Sequence, residues 1–194
     1  MKLRGLYAIT PEGPGLPLKV RAALEGGIAL LQYRRKDAAN LDEAREIRGL
    51  AREYGVPFIV NDDLRLALEL DADGVHLGRD DGDLTAARKS LGGKLLGASC
   101  YNDPNRAEAA VRASADYLAF GSVFPSPTKP AAVRAPLSLF AKKRGVPLCA
   151  IGGITLATAP QVIAAGADLL AVISDLFDAP DIAARAREYA RLFA

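Results

Sequence analysis

Gly166-Ala167-Asp168-Leu169-Leu170 decides the fold class, because variants of this stretch recur along the chain. The three earlier copies are Gly27-Ile28-Ala29-Leu30-Leu31, Asp71-Ala72-Asp73-Gly74-Val75 and Ser114-Ala115-Asp116-Tyr117-Leu118. Each copy follows a helical pattern, and the four open the second, fourth, sixth and eighth predicted strands. Two further related stretches, Gly55-Val56-Pro57-Phe58 and Gly145-Val146-Pro147-Leu148, open strands three and seven. A unit of two strands and two helices that occurs four times is typical of a closed barrel.

Apolar runs and helical patterns alternate along the whole chain. The predicted strands are 6–10, 28–33, 58–60, 74–77, 95–99, 117–121, 147–151 and 169–173. The predicted helices are 17–25, 40–54, 64–70, 84–91, 105–113, 137–143, 156–165 and 180–193. Strands separated by helices pair in parallel, and eight of them can close on themselves. The sequence therefore predicts an α/β fold, a (β/α)8 TIM barrel that forms a single compact domain over residues 1–194.

The alternative fold is a doubly wound open sheet. Such a sheet would leave the first or the last strand exposed at an edge, and neither strand carries the charges or prolines that protect an edge.

Composition narrows the partners and the compartment. The chain has 194 residues, 50% of them hydrophobic, and its net charge of +2 arises from interspersed acids and bases. No basic stripe points to nucleic acid, and no apolar stretch approaches the length of a membrane span. The amino terminus has no signal-peptide pattern, and Cys100 and Cys149 lie beside or inside apolar runs. We therefore expect a cytoplasmic protein with reduced thiols; the oligomeric state stays open, and a homo-oligomer is compatible with the sequence.

A proline-rich loop follows the sixth predicted strand. Residues 121–130 read Gly-Ser-Val-Phe-Pro-Ser-Pro-Thr-Lys-Pro, and the three prolines prevent the strand from continuing. Ser126, Thr128 and Lys129 offer short hydrogen-bond donors and a point charge, which suit phosphate oxygens. The alternative interpretation is a solvated surface loop.

Other strand ends also carry polar groups, where barrel enzymes place their sites. After strand two, alternation puts Gln32, Arg34 and Lys36 on one face, so an inward Gln32 would bring two cations to the barrel mouth. The alternative is a charged loop exit. Strand five ends at Ser99, which could donate to a phosphate or to a turn.

The loops after strands seven and eight suggest a phosphate cradle. Gly152-Gly153 follows strand seven, and paired glycines allow backbone N–H groups to approach an anion closely. Strand eight ends near Ile173 and Ser174. Barrels often bind phosphate between these two loops.

Carboxylates follow strands three and four. Asn61, Asp62 and Asp63 are consecutive, and Asp63 is the predicted N-cap of the next helix. Asp62 and Asp81, from successive strands, could hold one Mg²⁺ ion, which typically takes one or two protein carboxylates. Spacing alone leaves Asp80 and Asp83 as competing ligands.

His76 is the only histidine in the chain. The phase of the repeat aligns it with Gln32 and therefore places it inside the barrel. No second histidine or nearby cysteine completes a nucleophilic triad or a zinc site, so we expect a hydrogen-bonded structural histidine. Cys100 has no neighbouring base in the sequence and is expected to be inert.

Together these groups indicate the class of reaction. A phosphate cradle, a carboxylate pair and cations from separate strands suit small-molecule substrates that carry a monophosphate and a pyrophosphate. No acid–base dyad is evident. The expected chemistry is electrostatic stabilisation of a departing pyrophosphate while the reacting carbon gains cation character.

These motifs, taken in order, resemble the thiamine-phosphate synthase family. The matching stretches are Leu6-Tyr7-Ala8-Ile9-Thr10, Gln32-Tyr33-Arg34-Arg35-Lys36, Asn61-Asp62, Gly74-Val75-His76-Leu77-Gly78 with Asp81, Gly97-Ala98-Ser99, Thr128-Lys129, Ala150-Ile151-Gly152-Gly153-Ile154 and Val172-Ile173-Ser174. The resemblance implies a transferase that joins hydroxymethylpyrimidine diphosphate to thiazole phosphate, giving thiamine phosphate and pyrophosphate. It also implies a dissociative reaction, in which Mg²⁺-assisted loss of pyrophosphate yields a pyrimidine cation.

The resemblance further implies a role for each matching residue. The pyrimidine would contact Gln32, and Mg²⁺ would be held by Asp62 and Asp81. The diphosphate would be held by Arg34, Lys36, Asn61, Ser99 and Lys129. The thiazole phosphate would be held by Ser126 and Thr128 with the backbone of Gly153, Ile173 and Ser174. The family often has Pro at position 122 and Thr at position 126, where this chain has serine, and we expect altered affinity rather than lost activity from these two changes.

Three other functions compete with this interpretation. A thiazole tautomerase of the same superfamily would not need Asp81 or the Thr128-Lys129 pair. A phosphosugar isomerase or epimerase would need an opposed acid and base, which the sequence does not provide. A non-catalytic sensor of thiamine precursors would need fewer charged groups than the chain retains.

Overall fold

The computed structural model describes residues 3–35, 40–125 and 133–194, and within these ranges it contains eight strands and nine helices. The strands are β1 (Gly5–Ile9), β2 (Leu30–Tyr33), β3 (Phe58–Asn61), β4 (Gly74–Leu77), β5 (Leu95–Tyr101), β6 (Tyr117–Gly121), β7 (Leu148–Ile151) and β8 (Leu169–Val172). The helices are α1 (Leu16–Glu25), α2 (Leu41–Glu53), α3 (Leu64–Glu69), α4 (Leu84–Leu91), α5 (Pro104–Arg112), α6 (Ser138–Ala141), α7 (Ala159–Ala164), α8 (Ser174–Phe177) and α9 (Ile182–Arg191).

The strands form a closed barrel in sequence order. Every strand pairs in parallel with the next, and β1 pairs with β8 from Gly5↔Leu169 to Ala8↔Val172. The predicted (β/α)8 barrel is therefore confirmed, and the open sheet is excluded because neither terminal strand has a free edge.

Alternation along the strands separates two apolar layers. One layer fills the inside of the barrel and includes Tyr7, Leu30, Ile59, Tyr117 and Leu169. The other layer lies between the strands and the surrounding helices and includes Leu31, Phe58, Val75, Leu118 and Leu170. Because both faces of each strand are covered, short and nearly continuous apolar runs suffice to form the sheet.

The recurring aspartates join the amino-terminal ends of neighbouring strands. The Asp168 carboxylate accepts a hydrogen bond from Leu148 N at 3.0 Å, and Asp168 N donates to Leu148 O at 2.8 Å. Asp73 and Asp116 make the same double contact with the first or second residue of β3 and β5, Phe58 and Leu96. In the remaining copy, Ala29 keeps only the backbone bond to Leu6 O. The repeat thus encodes three side-chain anchors at one rim of the barrel.

Several helix boundaries differ from the prediction. The predicted helix 156–165 begins at Ala159, because Thr155 and Thr158 hydrogen-bond to each other and form a turn first. The predicted helix 137–143 is reduced to Ser138–Ala141. The short helix α8 was not predicted, since its four residues follow β8 directly and are too few to show a helical period.

We predict that Asp168→Ala lowers the free energy of unfolding by about 1–3 kcal/mol, because it leaves the Leu148 N–H without its side-chain acceptor. Denaturant unfolding measures this change. The matched control is Asp178→Ala, which removes an exposed carboxylate that bonds to none of the residues the structure describes. Equal stability of the two variants would contradict the anchoring role.

Candidate active site

The polar strand ends meet at the carboxyl-terminal rim of the barrel, as the fold requires. Asn61 of β3 pairs with His76 of β4, and His76 pairs with Gly97 of β5. Ser99 lies two residues after Gly97 and therefore on the same face of the strand. Ser99 and Asn61 are half-buried, whereas Gln32 and His76 are buried inside the barrel. The structure therefore places Gln32 inward, which is the condition under which the alternation along β2 brings Arg34 to the barrel mouth.

A chain of hydrogen bonds crosses the inside of the barrel. Gln32 Nε2 donates to the Tyr7 hydroxyl at 2.7 Å, and the hydroxyls of Tyr7 and Tyr117 lie 2.7 Å apart. Tyr117 OH lies 3.1 Å from His76 Nδ1, and His76 Nε2 lies 2.9 Å from Ser99 Oγ. Burial raises the pKa of both tyrosines, so both hydroxyls stay protonated.

His76 is thus a hydrogen-bonded core residue, as predicted. Its ring also stacks on Tyr117, with centroids 5.5 Å apart. The sequence patterns did not identify Tyr7 and Tyr117 as members of this series of hydrogen bonds. Their inward positions could have been found from alternation, but their pairing across 110 residues of sequence could not.

Two carboxylates meet at the rim after β3 and β4. The carboxylates of Asp62 and Asp81 lie close enough to interact, Asn61 Nδ2 donates to Asp62 Oδ2 at 2.5 Å, and Gly78 N donates to Asp81 Oδ2 at 2.7 Å. Asp62 has a positive φ of 63°, an uncommon conformation for a residue with a Cβ that recurs at functional sites.

The electrostatics of this pair favour a cation. Partial burial and, to a smaller extent, the neighbouring Asp81 carboxylate raise the pKa of Asp62 to about 6. The Asn61 amide and the nearby Arg34 guanidinium act in the opposite direction, without cancelling the shift. Two adjacent oxygen ligands with excess negative charge fit Mg²⁺, which completes its shell with water and phosphate oxygens. Within the described ranges, no cluster of three or more His, Cys, Asp or Glu side chains forms a metal site.

The competing carboxylates have other surroundings. Asp83 caps α4, because its side chain accepts a hydrogen bond from Ala86 N at 2.7 Å. Asp63 caps α3 in the same way through Leu66 N, so the predicted cap is confirmed. Asp80 is exposed and bonds to none of the described side chains. Of the three candidates after β4, only Asp81 is in contact with Asp62.

The residues after β2 divide between the two faces of the barrel wall. Arg35 forms an ion pair with Glu43 of α2, and Tyr33 OH donates to the same carboxylate at 3.2 Å. Arg34 N donates to Thr10 Oγ1 at 2.9 Å, which ties the end of β2 to the end of β1. The Arg34 guanidinium acts on the nearby Asp62 at the rim, whereas the Arg35 guanidinium is paired with Glu43 in the outer layer.

Arg79 and Arg106 form an arginine shelf around Tyr101 that the sequence patterns do not reveal. The guanidinium groups of Arg79 and Arg106 lie 5.0 and 5.9 Å from the centre of the Tyr101 ring, within reach of cation–π contact. Arg106 Nε also donates to Ser99 O at 2.6 Å. The register of β5 shifts between Ser99 and Tyr101, and the backbone turns at Tyr101, which has a positive φ of 54°. No regular alternation predicts that turn.

The glycines after β7 sit where larger residues would not fit. Gly153 has φ +63°, and a Cβ there would collide with Pro125 O. Gly152 has φ +99°, and a Cβ would collide with the side chain of Ser122, whose Oγ donates to Phe124 O at 2.7 Å. The loops after β6 and β7 are therefore packed directly against each other. On the neighbouring strand, β8, Ile173 is the N-cap of α8 and Ser174 is its first residue.

Four predicted site residues, Lys36, Ser126, Thr128 and Lys129, lie outside the described residues.

Both cysteines are buried, and burial raises the pKa of the Cys100 thiol to about 12, so it stays protonated. None of the helices in the described ranges is long and apolar enough to cross a membrane.

We predict that His76 makes stability depend on pH. Burial lowers its pKa to about 4, against a weaker opposing effect of Asp81 and with a small contribution from Arg106. Between pH 6.5 and 4 the unfolded chain binds a proton that the folded chain does not, so stability falls as pH falls, by up to about 3 kcal/mol.

Urea unfolding of the wild type and His76→Gln at pH 7, 5.5 and 4.5 measures this difference. The raised pKa of Asp62 acts in the opposite direction in this window and largely cancels in the comparison. A constant stability difference between the two proteins at all three pH values would show that the buried imidazole is not responsible.

Comparison with known proteins identifies the family. The family model described as thiamine monophosphate synthase matches residues 6–176. The thiamine-phosphate synthase of Aromatoleum aromaticum is 64% identical over 202 residues, covering 99% of this chain and 97% of that protein. That of an Azoarcus species is 54% identical over 100% of this chain and 98% of the relative. A solved structure of thiamine phosphate pyrophosphorylase from Pyrococcus furiosus is 35% identical and superposes with a TM-score of 0.89 over 99% of this chain and 96% of that one. This chain belongs to the thiamine monophosphate synthase family.

Proposed function

We propose that this chain is a transferase that couples hydroxymethylpyrimidine diphosphate to thiazole phosphate and releases pyrophosphate, with thiamine phosphate as the product. Family membership supports the reaction. The observation that carries the site is the contact between Asp62 and Asp81 beside the Arg34 guanidinium, at the rim that also presents Ser99. This arrangement suits a substrate with several phosphate charges.

The diphosphate would lie between the carboxylate pair and the cations. Asp62 and Asp81 would hold Mg²⁺, which when bound offsets negative charge on the leaving pyrophosphate. Arg34 and Lys36 would add positive charge from the loop after β2, and Lys129 from the loop after β6. Asn61 and Ser99 would add neutral donors; the Asn61 amide keeps a second N–H beyond the one given to Asp62.

The pyrimidine would enter the barrel mouth above the buried polar chain. Gln32 gives an amide N–H to Tyr7, and its amide oxygen has no partner among the described residues. That oxygen can accept a hydrogen bond from an amino substituent of the ring. Gln32 would therefore orient the pyrimidine so that its diphosphate arm points to Ser99 and Arg34.

The thiazole phosphate would bind on the other side of the mouth. Ser126 and Thr128 would contribute hydroxyls, and the backbone of Gly153, Ile173 and Ser174 would contribute N–H groups. The tight packing of the β6 and β7 loops supports this assignment, because the glycine at position 153 lets Pro125, the residue before Ser126, lie directly against the backbone that follows β7.

The reaction needs little proton transfer from the protein. When the bond from the methylene carbon to the diphosphate oxygen breaks, the electron pair leaves with pyrophosphate and the carbon becomes cationic. The thiazole nitrogen then attacks that carbon and forms the new bond. The residues of this chain would act by position and charge, stabilising the leaving group and aligning the nitrogen, which agrees with the lack of an opposed acid and base.

We also propose that the protein works in the cytoplasm. Both cysteines are free and buried, which fits a reducing compartment.

We predict that Asp81→Asn reduces pyrophosphate release at limiting Mg²⁺ and raises the Mg²⁺ concentration needed for half-maximal rate by tenfold or more. The measurement is a pyrophosphate-release assay with both substrates across a Mg²⁺ titration, with a chelator-treated sample as the zero point. Asp80→Asn is the matched control, because this neighbouring carboxylate is exposed and touches none of the described site residues. An unchanged titration for Asp81→Asn, or an equal shift for Asp80→Asn, would move the metal site away from Asp81.

We predict that Lys129→Ala lowers kcat by at least a hundredfold while the thermal unfolding temperature changes little. Loss of a positive charge beside the leaving group raises the activation free energy of carbon–oxygen cleavage. Lys89→Ala, on the exposed face of α4, serves as the control. Normal turnover by Lys129→Ala would refute its role, and wild-type protein that isomerises a thiazole phosphate without releasing pyrophosphate would favour the tautomerase.

A further inference from the structure

The buried series of hydrogen bonds inside the barrel has a donor-to-acceptor direction, and the series ends at the candidate site. Its members come from five strands, and its ends are Gln32 and Ser99, two residues of the proposed site. Each hydroxyl in it has one proton to donate. Fixing the donor at one end therefore fixes every donor along the chain.

The Gln32 amide sets the first donor. Its Nε2 can only donate, so the Tyr7 hydroxyl accepts that bond and gives its own proton to Tyr117 OH. Tyr117 in turn donates to His76 Nδ1. An imidazole that accepts at Nδ1 and is neutral carries its proton on Nε2.

The last bond leaves one proton free. His76 Nε2–H donates to Ser99 Oγ, so the oxygen's own proton is not used inside the barrel. Ser99 is half-buried at the rim, where that O–H can turn toward the mouth. In the reverse direction Ser99 would donate to His76, and only its lone pairs would face the site.

We propose that His76 is a positioning residue whose Nε2–H tautomer, set by Tyr7 and Tyr117, holds Ser99 as an outward hydrogen-bond donor to the leaving diphosphate. The same direction turns the Gln32 amide oxygen toward the pyrimidine. This inference rests on the proposed function for the identity of the ligand. A lone pair in place of the Ser99 proton would repel the diphosphate oxygens, so the direction of the hydrogen bonds affects catalysis.

Packing alone does not require either direction. The same four distances would stabilise the core equally well if the Gln32 amide were flipped and every proton reversed. A merely structural chain would therefore leave the tautomer unrelated to turnover. The tautomer and its coupling to Ser99 are the two measurable consequences.

The first test reads the tautomer directly. Because the chain has a single histidine, untagged protein labelled with ¹⁵N-histidine gives one imidazole signal pair in long-range ¹H–¹⁵N spectra. At pH 7 we expect the neutral Nε2–H tautomer in the wild type, and loss of that preference in Tyr117→Phe. A neutral Nδ1–H tautomer, or a charged ring, in the wild type would overturn the proposal whatever the enzyme catalyses.

The second test is a kinetic double-mutant cycle with Tyr117→Phe and Ser99→Ala. We expect Tyr117→Phe to lower kcat about tenfold with little change in KM. The reason is that Ser99 no longer donates its hydrogen bond to the leaving diphosphate in the transition state. In the Ser99→Ala background the same change should have almost no further effect. Equal losses in both backgrounds, or full activity of Ser99→Ala, would overturn the proposal.

Tyr7→Phe provides a second variant in case Tyr117→Phe does not fold. It interrupts the chain one step further from His76, and we expect a smaller loss of kcat that also disappears in the Ser99→Ala background. A loss that persists there would argue against action through Ser99. The proposed function is judged separately by pyrophosphate release in the wild type and in the Lys129 and Asp81 variants.

Discussion

The pairing of β1 with β8 is the constraint on which the rest of the structure depends. Gly5 N donates to Asp168 O at 2.9 Å, and the ladder continues to Ala8 and Val172. Gly5 has φ +134°, and a Cβ there would lie 2.8 Å from Ala29 Cβ, so a larger residue would push the closing strand outward. Closure satisfies the backbone groups of both terminal strands and brings all eight strand ends to a common rim.

The closed barrel also determines what lies beneath that rim. Its interior is lined by side chains from every strand, and four of them carry polar atoms that water cannot satisfy. Gln32, Tyr7, Tyr117 and His76 solve this problem by bonding to one another, and Ser99 ends the series where solvent begins. Hydrogen bonds that join each of these side chains to the next restrict their rotation, so the groups at the two ends are held in fixed orientations.

The sequence predicts the barrel well because its evidence is periodic. Repeated strand openings locate the strands, and alternation along β2 puts Gln32 and Arg34 on the same face. Contacts between distant residues are not periodic, so neither the Tyr7–Tyr117 bond nor the arginine shelf around Tyr101 could be predicted. Asp83 is a different case: it directly precedes the predicted helix 84–91, so the capping rule that identified Asp63 could also have separated it from Asp81.

The three anchoring aspartates lie at the end of the barrel opposite the carboxylate pair. Asp73, Asp116 and Asp168 hold the entry points of the strands, while Asp62 and Asp81 follow the exits of β3 and β4. Acidic side chains thus anchor strands at one end of the barrel and form the proposed metal site at the other, with a packed interior between them. Replacement of loops at the end that carries the candidate site would leave the three aspartate anchors unchanged, so this architecture can acquire new substrates without a change of fold.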